Sequence, residues 1–220
     1  AAARILARLG IGLEGAAGAG CCGAAAYHLG AQDDALNAMR RNIDAWWPEI
    51  ENGCEAILVS ASGCGAVVKE YADILAHDPD YAEKAKRVTA LARDPVEVLA
   101  GEDLTALGSP GKGRKVAFHA PCSLQHGQQL KNLVEPILSR LGFELTTVPD
   151  AHLCCGSAGT YSITQPVLAK QLQANKIAAL QSGQPELIAT ANIGCQLHLE
   201  AAADRPVIHW LELLDPGAEQ

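Results

Sequence analysis

No apolar run in the chain approaches the roughly 20 residues that span a bilayer, which argues against a membrane-spanning helix. Basic residues are in deficit: 17 Lys and Arg stand against 25 Asp and Glu, a formal charge of -8. A nucleic-acid binder needs clustered cations to neutralise phosphates, and so does a protein held on an anionic membrane surface; both classes are disfavoured. No Ser-His-Asp or paired-carboxylate constellation is present, and no C-x-x-C pair of the kind structural zinc sites prefer. The one methionine is Met39, so the chain opens at Ala1 without an initiator and reads as a fragment with sequence missing upstream. Arg4, Arg8 and Glu14 interrupt the Ala/Gly-rich first twenty residues, which therefore read poorly as a signal peptide.

What is present is enough to fold. With 220 residues, 49% apolar and 19% charged, the chain can bury one large core or two small ones. It also repeats itself. Ile5-Leu6-Ala7-Arg8-Leu9-Gly10 matches Ile137-Leu138-Ser139-Arg140-Leu141-Gly142 in five of six positions, at an offset of 132. Cys21-Cys22-Gly23 matches Cys154-Cys155-Gly156 at 133, and Gly63-Cys64 matches Gly194-Cys195 at 131. Matches in one order at nearly one offset indicate two copies of a unit, residues 1–108 and 114–220, divided at the Gly/Pro/Ser stretch 108–113.

Leu36, Met39, Ile43, Trp46 and Ile50 recur at helical spacing, with Pro48 expected to bend or restart that helix. The run 57–59 reads as a buried strand and 65–77 as a helix. In the second copy the reading is a strand over Lys115–His119 stopped by Pro121, a helix over 130–141 with Pro136 as a defect, and a strand over 143–148. A helix from Pro166 to about Leu180, a strand over Leu187–Thr190 and a helix opening at Cys195 follow. Short apolar strands alternating with helices give an α/β class: two tandem similar units related by a pseudo-two-fold, each with a short, mostly parallel sheet flanked by helices. The cysteines then fall at strand-to-helix junctions, where open α/β sheets place their binding sites.

There are eight cysteines, two pairs of them adjacent, and neighbouring cysteines seldom bridge one another. Cys122, Cys154, Cys155 and Cys195 are the complement of one [4Fe-4S] cluster, with Gly156 allowing backbone N–H groups close to sulfur. The first copy offers Cys21, Cys22 and Cys64, with Gly23 in the corresponding role; the counterpart of Cys122 would fall before residue 1. Zinc held by the same cysteines or by His198, and simple buried thiols, remain alternatives on spacing alone. Cys54 has no repeat counterpart and reads as a small core residue. His119, His126 and His152 read as polar contacts; His198, three residues after Cys195, is the best histidine candidate for ligation. Trp46 and Trp47 read as core or a packing surface. Gly10-Ile11-Gly12-Leu13-Glu14-Gly15 fits G-x-G-x-x-G but lacks the strand that should precede it.

Cys122, then Cys154-Cys155-Gly156, then Cys195 resembles the cysteine-rich CCG domain, found in tandem in heterodisulfide reductases and in iron–sulfur subunits of 2-hydroxyacid dehydrogenases. Longer strings, Asn42-Ile43-Asp44-Ala45-Trp46-Trp47-Pro48, Ala61-Ser62-Gly63-Cys64-Gly65-Ala66 and His152-Leu153-Cys154-Cys155-Gly156-Ser157-Ala158-Gly159-Thr160-Tyr161, resemble iron–sulfur subunits of glycolate oxidase (glycolate dehydrogenase) in their C-terminal CCG region. The resemblance implies an oxidoreductase subunit with [4Fe-4S] as its cofactor and Cys21, Cys22, Cys64, Cys122, Cys154, Cys155 and Cys195 as ligands. Electrons would come from an FAD-containing partner subunit that oxidises glycolate and pass toward a quinone-type acceptor. It further implies an N-terminal ferredoxin-like domain outside this chain, and a cytoplasmic location, peripheral on the inner membrane through the complex. The wider pattern ends in C-x-x-C, where this chain has Val67 and His198. That departure favours an ordinary [4Fe-4S] cluster, or an empty site, over a noncubane one. A docking scaffold without a competent cluster and a thiol/disulfide redox subunit are the alternative functions. The isolated chain is expected to oxidise neither glycolate nor lactate.

Overall fold

The computed structural model describes residues 1–215 and Gly217. Its strands are β1 (Ile57–Leu58), β2 (Ala92–Arg93), β3 (Lys115–His119), β4 (Glu144–Leu145), β5 (Leu187–Thr190) and β6 (Val207–His209). The helices are α1 (Ala2–Arg8), α2 (Ala24–His28), α3 (Gln32–Glu51), α4 (Ser62–Val68), α5 (Tyr71–Ile74) and α6 (Ala82–Leu91), then α7 (Pro95–Leu99), α8 (Val134–Arg140), α9 (Tyr161–Thr164), α10 (Pro166–Gln181), α11 (Ile193–Glu200) and α12 (Trp210–Leu213). Parallel strands flanked by helices make this an α/β protein, as the alternation of short apolar runs and helical periods requires. No helix among the described residues is long and apolar enough to cross a membrane.

Residues 14–95 form one compact unit. Its sheet is the parallel pair β1–β2, with Ile57 opposite Ala92. Helix α3 supplies much of the core through Ala35, Met39, Ile43 and Ile50, the face its spacing predicts. The helix continues without interruption through Pro48 to Glu51 and is not restarted there. Pro48 lies in its last turn, and the bond it forfeits is to the carbonyl of exposed Asp44, which water can satisfy. The segment 65–77 is two short helices, α4 and α5, separated at Lys69-Glu70, rather than one. Tyr71 opens the second and is wholly buried.

Residues 1–13 and the segment from Val96 onward form the other unit. Packing therefore divides the chain at Pro95–Val96, a different place from the recurrence of sequence at 1–108 and 114–220. Helix α1, the counterpart of α8 in the repeat, buries Ile5 and Leu6 here, and its Arg4 Nε donates to Asp215 Oδ1 at 2.9 Å. The Arg4 guanidinium holds the Asp215 carboxyl well below the usual carboxylate range.

The sheet of this unit is parallel throughout, in the order β4-β3-β5-β6. The chain moves outward from β3 to β4, then returns across β3 to lay down β5 and β6. Strand order thus reverses between β3 and β5, the position at which open α/β sheets leave a crevice beyond their carboxyl ends. Both central strands are almost wholly buried, which explains their unbroken apolar character. Two expected elements are shorter than their sequences suggested. Gln129 and Asn132 take positive φ and delay α8 to Val134, and only Glu144–Leu145 of the segment 143–148 pairs as a strand.

Candidate metal centre

The crevice between β3 and β5 is where the second cysteine set meets. Cys122 follows β3 after Ala120-Pro121 and leads into a π-type turn, Ser123–Gly127. Cys195 follows β5 and is the third residue of α11, which starts at Ile193 rather than at the cysteine. Cys154 and Cys155 arrive on the turn before α9 and α10. Gly156 holds that turn at φ +95°, and a Cβ there would fall on the Ala169 carbonyl of α10. Glycine is required by conformation and by space at once. Ser157 Oγ donates to the Gly194 carbonyl at 2.9 Å, tying the turn to the start of α11.

The four thiols lie close enough to shift one another's protonation. Cys122 gives its proton toward Cys154, and Cys155 is shared between Cys154 and Cys195. The thiol hydrogen bond from Cys122, then those from Cys155 and from the Gly156 N–H, push Cys154 down; that N–H reaches its sulfur at 3.3 Å. Cys195 is lowered by the Cys155 thiol, and Asn192 Nδ2 donates to its sulfur at 3.5 Å. Cys122 and Cys155, which give their protons, are raised. Cys155 and Cys195 are buried, while Cys122 and Cys154 are half-buried. A crowd of thiols sharing protons, with N–H donors aimed at sulfur, suits a cation that displaces those protons.

His119 is the histidine that joins them. A ring nitrogen of His119 and the sulfurs of Cys155 and Cys195 all lie within 4.8 Å of one another. Its Nδ1 is 2.9 Å from Thr190 Oγ1, and burial, with neighbouring Lys176, pushes its pKa down to about 3, so the ring is neutral. His198, the histidine favoured from spacing, is outside this group; its Nε2 is buried without a hydrogen-bond partner. The physical reason is direction: the site is entered from the end of β3, three residues before Cys122, rather than along α11. His126 Nε2 lies 3.3 Å from the His152 carbonyl, an ordinary polar contact.

The first cysteine set is brought together within the unit 14–95. Cys64 gives its proton toward Cys22, which that bond, with help from the Ala24 N–H and Cys21, pushes down to about 6. Cys64 is correspondingly raised. Gly23, at φ +85°, repeats the conformation of Gly156, and a Cβ on it would meet the Ala35 carbonyl of α3. The carbonyls of this turn are held from below. Tyr71 Oη donates to the Cys22 carbonyl at 2.7 Å, and Asn42 Nδ2 donates to that of Cys21 at 2.9 Å. The Gly20 N–H donates to Asn42 Oδ1 at 2.8 Å. Trp46 stacks on Tyr71 and Trp47 lies under Lys84, so both tryptophans pack within this unit. Cys54 is half-buried against the same core. The segment Gly10–Gly15 follows α1 and meets no helix before Ala24, so strand-turn-helix context is absent.

Asn42, Tyr71, Lys176 and Asn192 were given no role from the sequence, and His119 was read as a polar contact, which it makes with Thr190, but not as a neighbour of the sulfurs. Only His119 left a signal, its place at the end of a strand beside Pro121 and Cys122.

The chain matches the family model of the cysteine-rich domain CCG over residues 1–69 and 116–200. It is 57% identical over 220 residues to the glycolate oxidase iron-sulfur subunit of Escherichia coli (strain K12), covering 100% of this chain and 54% of that protein. It is 29% identical over 228 residues to lactate utilization protein A of Bacillus velezensis, covering 98% of this chain and 91% of that one. A probable glycolate oxidase iron-sulfur subunit of Bacillus subtilis (strain 168) is 30% identical over 190 residues, covering 84% and 41%. The chain thus spans about half the length of the Escherichia coli relative.

Proposed function

The chain belongs to the cysteine-rich CCG domain family, and from that premise we propose that it is the iron–sulfur electron-transfer part of a flavin-linked glycolate (2-hydroxyacid) dehydrogenase. The observation that carries this reading is the convergence of Cys122, Cys154, Cys155 and Cys195 at the β3/β5 crevice. Four thiols with N–H donors on two of the sulfurs fit a [4Fe-4S] cluster, which when bound supplies reversible one-electron transfer. The Gly156 N–H and the Asn192 amide orient and stabilise thiolate sulfur. Burial of Cys155 and Cys195 keeps water from that side of the site. Cys21, Cys22 and Cys64 form a second such cradle with three thiols. On this reading the repeat copies 1–108 and 114–220 carry one site each, and FAD and the hydroxyacid are held by a partner subunit. A ferredoxin-like region upstream completes the relay toward a quinone-type acceptor, on the cytoplasmic face of the inner membrane. The names of the Escherichia coli and Bacillus relatives support the assignment to glycolate or lactate oxidation.

Dye-linked glycolate oxidation tests it. The isolated chain is expected to show no turnover, with or without added flavin. A reconstituted complex should be active, and one carrying Cys154→Ala with Cys155→Ala should lose at least about 90% of that activity, since a cluster short of two ligands does not persist. Turnover by the chain alone, or full activity of the doubly substituted complex, would overturn the relay.

A second reading has one observation in its favour. His119, Cys155 and Cys195 within 4.8 Å would also suit a single zinc ion, and metal analysis separates the two.

A further inference from the structure

Lys176 lies on α10 and is 3% exposed. Its Nζ donates to the carbonyls of Asp150 at 3.0 Å and Ala151 at 3.3 Å, on the backbone leading to Cys154. Burial pushes its pKa down, and the thiols Cys155 and Cys154, exposed Asp150 and the Cys195 thiol oppose that shift; among the described residues no carboxylate makes an ion pair with it. A buried ammonium is strongly disfavoured unless a negative charge faces it. Lys176 is thus a buried basic group clamped to the backbone that leads into the cysteine turn. The first cysteine turn offers an internal comparison. Gly23 and Gly156 each abut a helix carbonyl, of Ala35 and Ala169, and seven residues further along those helices stand Asn42 and Lys176. The same helical position under the turn is thus neutral in one site and cationic in the other.

We propose that Lys176 is a potential-setting residue: its ammonium compensates the negative charge of the group held by Cys122, Cys154, Cys155 and Cys195, and raises the reduction potential of that group. The inference rests on the iron–sulfur reading above. A cluster on four thiolates is an anion, and reduction adds one electron to it, so a fixed neighbouring cation favours the reduced form. Lys176 acts through charge, and its two hydrogen bonds to the turn are a separate, structural contribution.

The test is an EPR-monitored titration with dithionite, which supplies the single electron. It uses the full chain, loaded anaerobically, in a Cys22→Ser background so that the signal comes from the second site. Lys176→Met and Lys176→Gln are expected to keep their iron and to be reduced at a lower potential. The expected change is at least tenfold in the reduction equilibrium, ~59 mV for one electron. Lys176→Arg should stay near the unsubstituted chain. Loss of iron from the Met and Gln variants alone, at unchanged melting temperature, is the same result in stronger form. A Gln variant with iron and an unshifted potential would reduce Lys176 to a clamp on the turn and overturn the inference. Loss of iron from all three, Arg included, overturns it too, because charge then does not decide. An unsubstituted chain that takes up no iron defeats the iron–sulfur reading and this inference with it. Failure of the inference alone leaves the unsubstituted signal intact.

Discussion

Cys155→Ser is expected to strip most of the iron from the second site, while Cys54→Ser leaves it in place. Cys155 stands between Cys154 and Cys195 in the chain of sulfur contacts and is buried, so its loss interrupts the donor set at its centre. Serine preserves volume but is a poor substitute for a thiolate toward iron, since soft sulfur ligands are what iron–sulfur sites select. Cys54 packs against the core of the unit 14–95 and shares no hydrogen bond with the other thiols. Iron per chain after anaerobic purification decides the matter. Equal losses from both variants would refute the separation of core from ligand cysteines.

Gly156→Ala should damage the protein more than any other single-methyl change in the cysteine turns. The left-handed backbone alone disfavours alanine by about 1–2 kcal/mol. The new methyl would also fall on the Ala169 carbonyl, a backbone atom that has no rotamer with which to move aside. We expect a thermal midpoint lower by at least ~4 °C, together with loss of the bound metal, as the turn is displaced from α10. Gly23→Ala should be milder. Its methyl would meet the Ala35 carbonyl at 2.9 Å and the side chain of Met39 at 3.4 Å, which can yield. A Gly156→Ala chain that melts with the unsubstituted protein and keeps its metal would contradict the turn geometry.

How much of this was legible without coordinates depends on the range of the forces involved. Strands β3 and β5 coincide with their apolar runs, since both are buried on two faces and one is followed by Pro121. Helix α10 starts at Pro166, where a missing N–H does no harm. The cysteine sets were legible because the repeat doubled the signal. Strand β2 was not, because two residues are too few to show a period, and β6 is hardly longer. The break between α4 and α5 and the late start of α8 depend on local backbone geometry that apolar spacing does not encode. The nearness of His119 to the sulfurs and of Lys176 to the cysteine turn was hidden for another reason. The first depends on β3 lying beside β5, 71 residues apart at His119 and Thr190, and the second on α10 bringing Lys176 to the Asp150 and Ala151 carbonyls. The docking of α1, with Arg4 on Asp215 across 211 positions, is long-range in the same way.

Iron and acid-labile sulfide, counted per chain after anaerobic isolation or reconstitution, bear most directly on whether the cysteines of the β3/β5 crevice hold an iron–sulfur cluster. Both elements are expected in near-equal amounts, about four of each for a loaded [4Fe-4S] site. Zinc in place of iron, iron without sulfide, or neither metal in a folded chain would contradict the assignment.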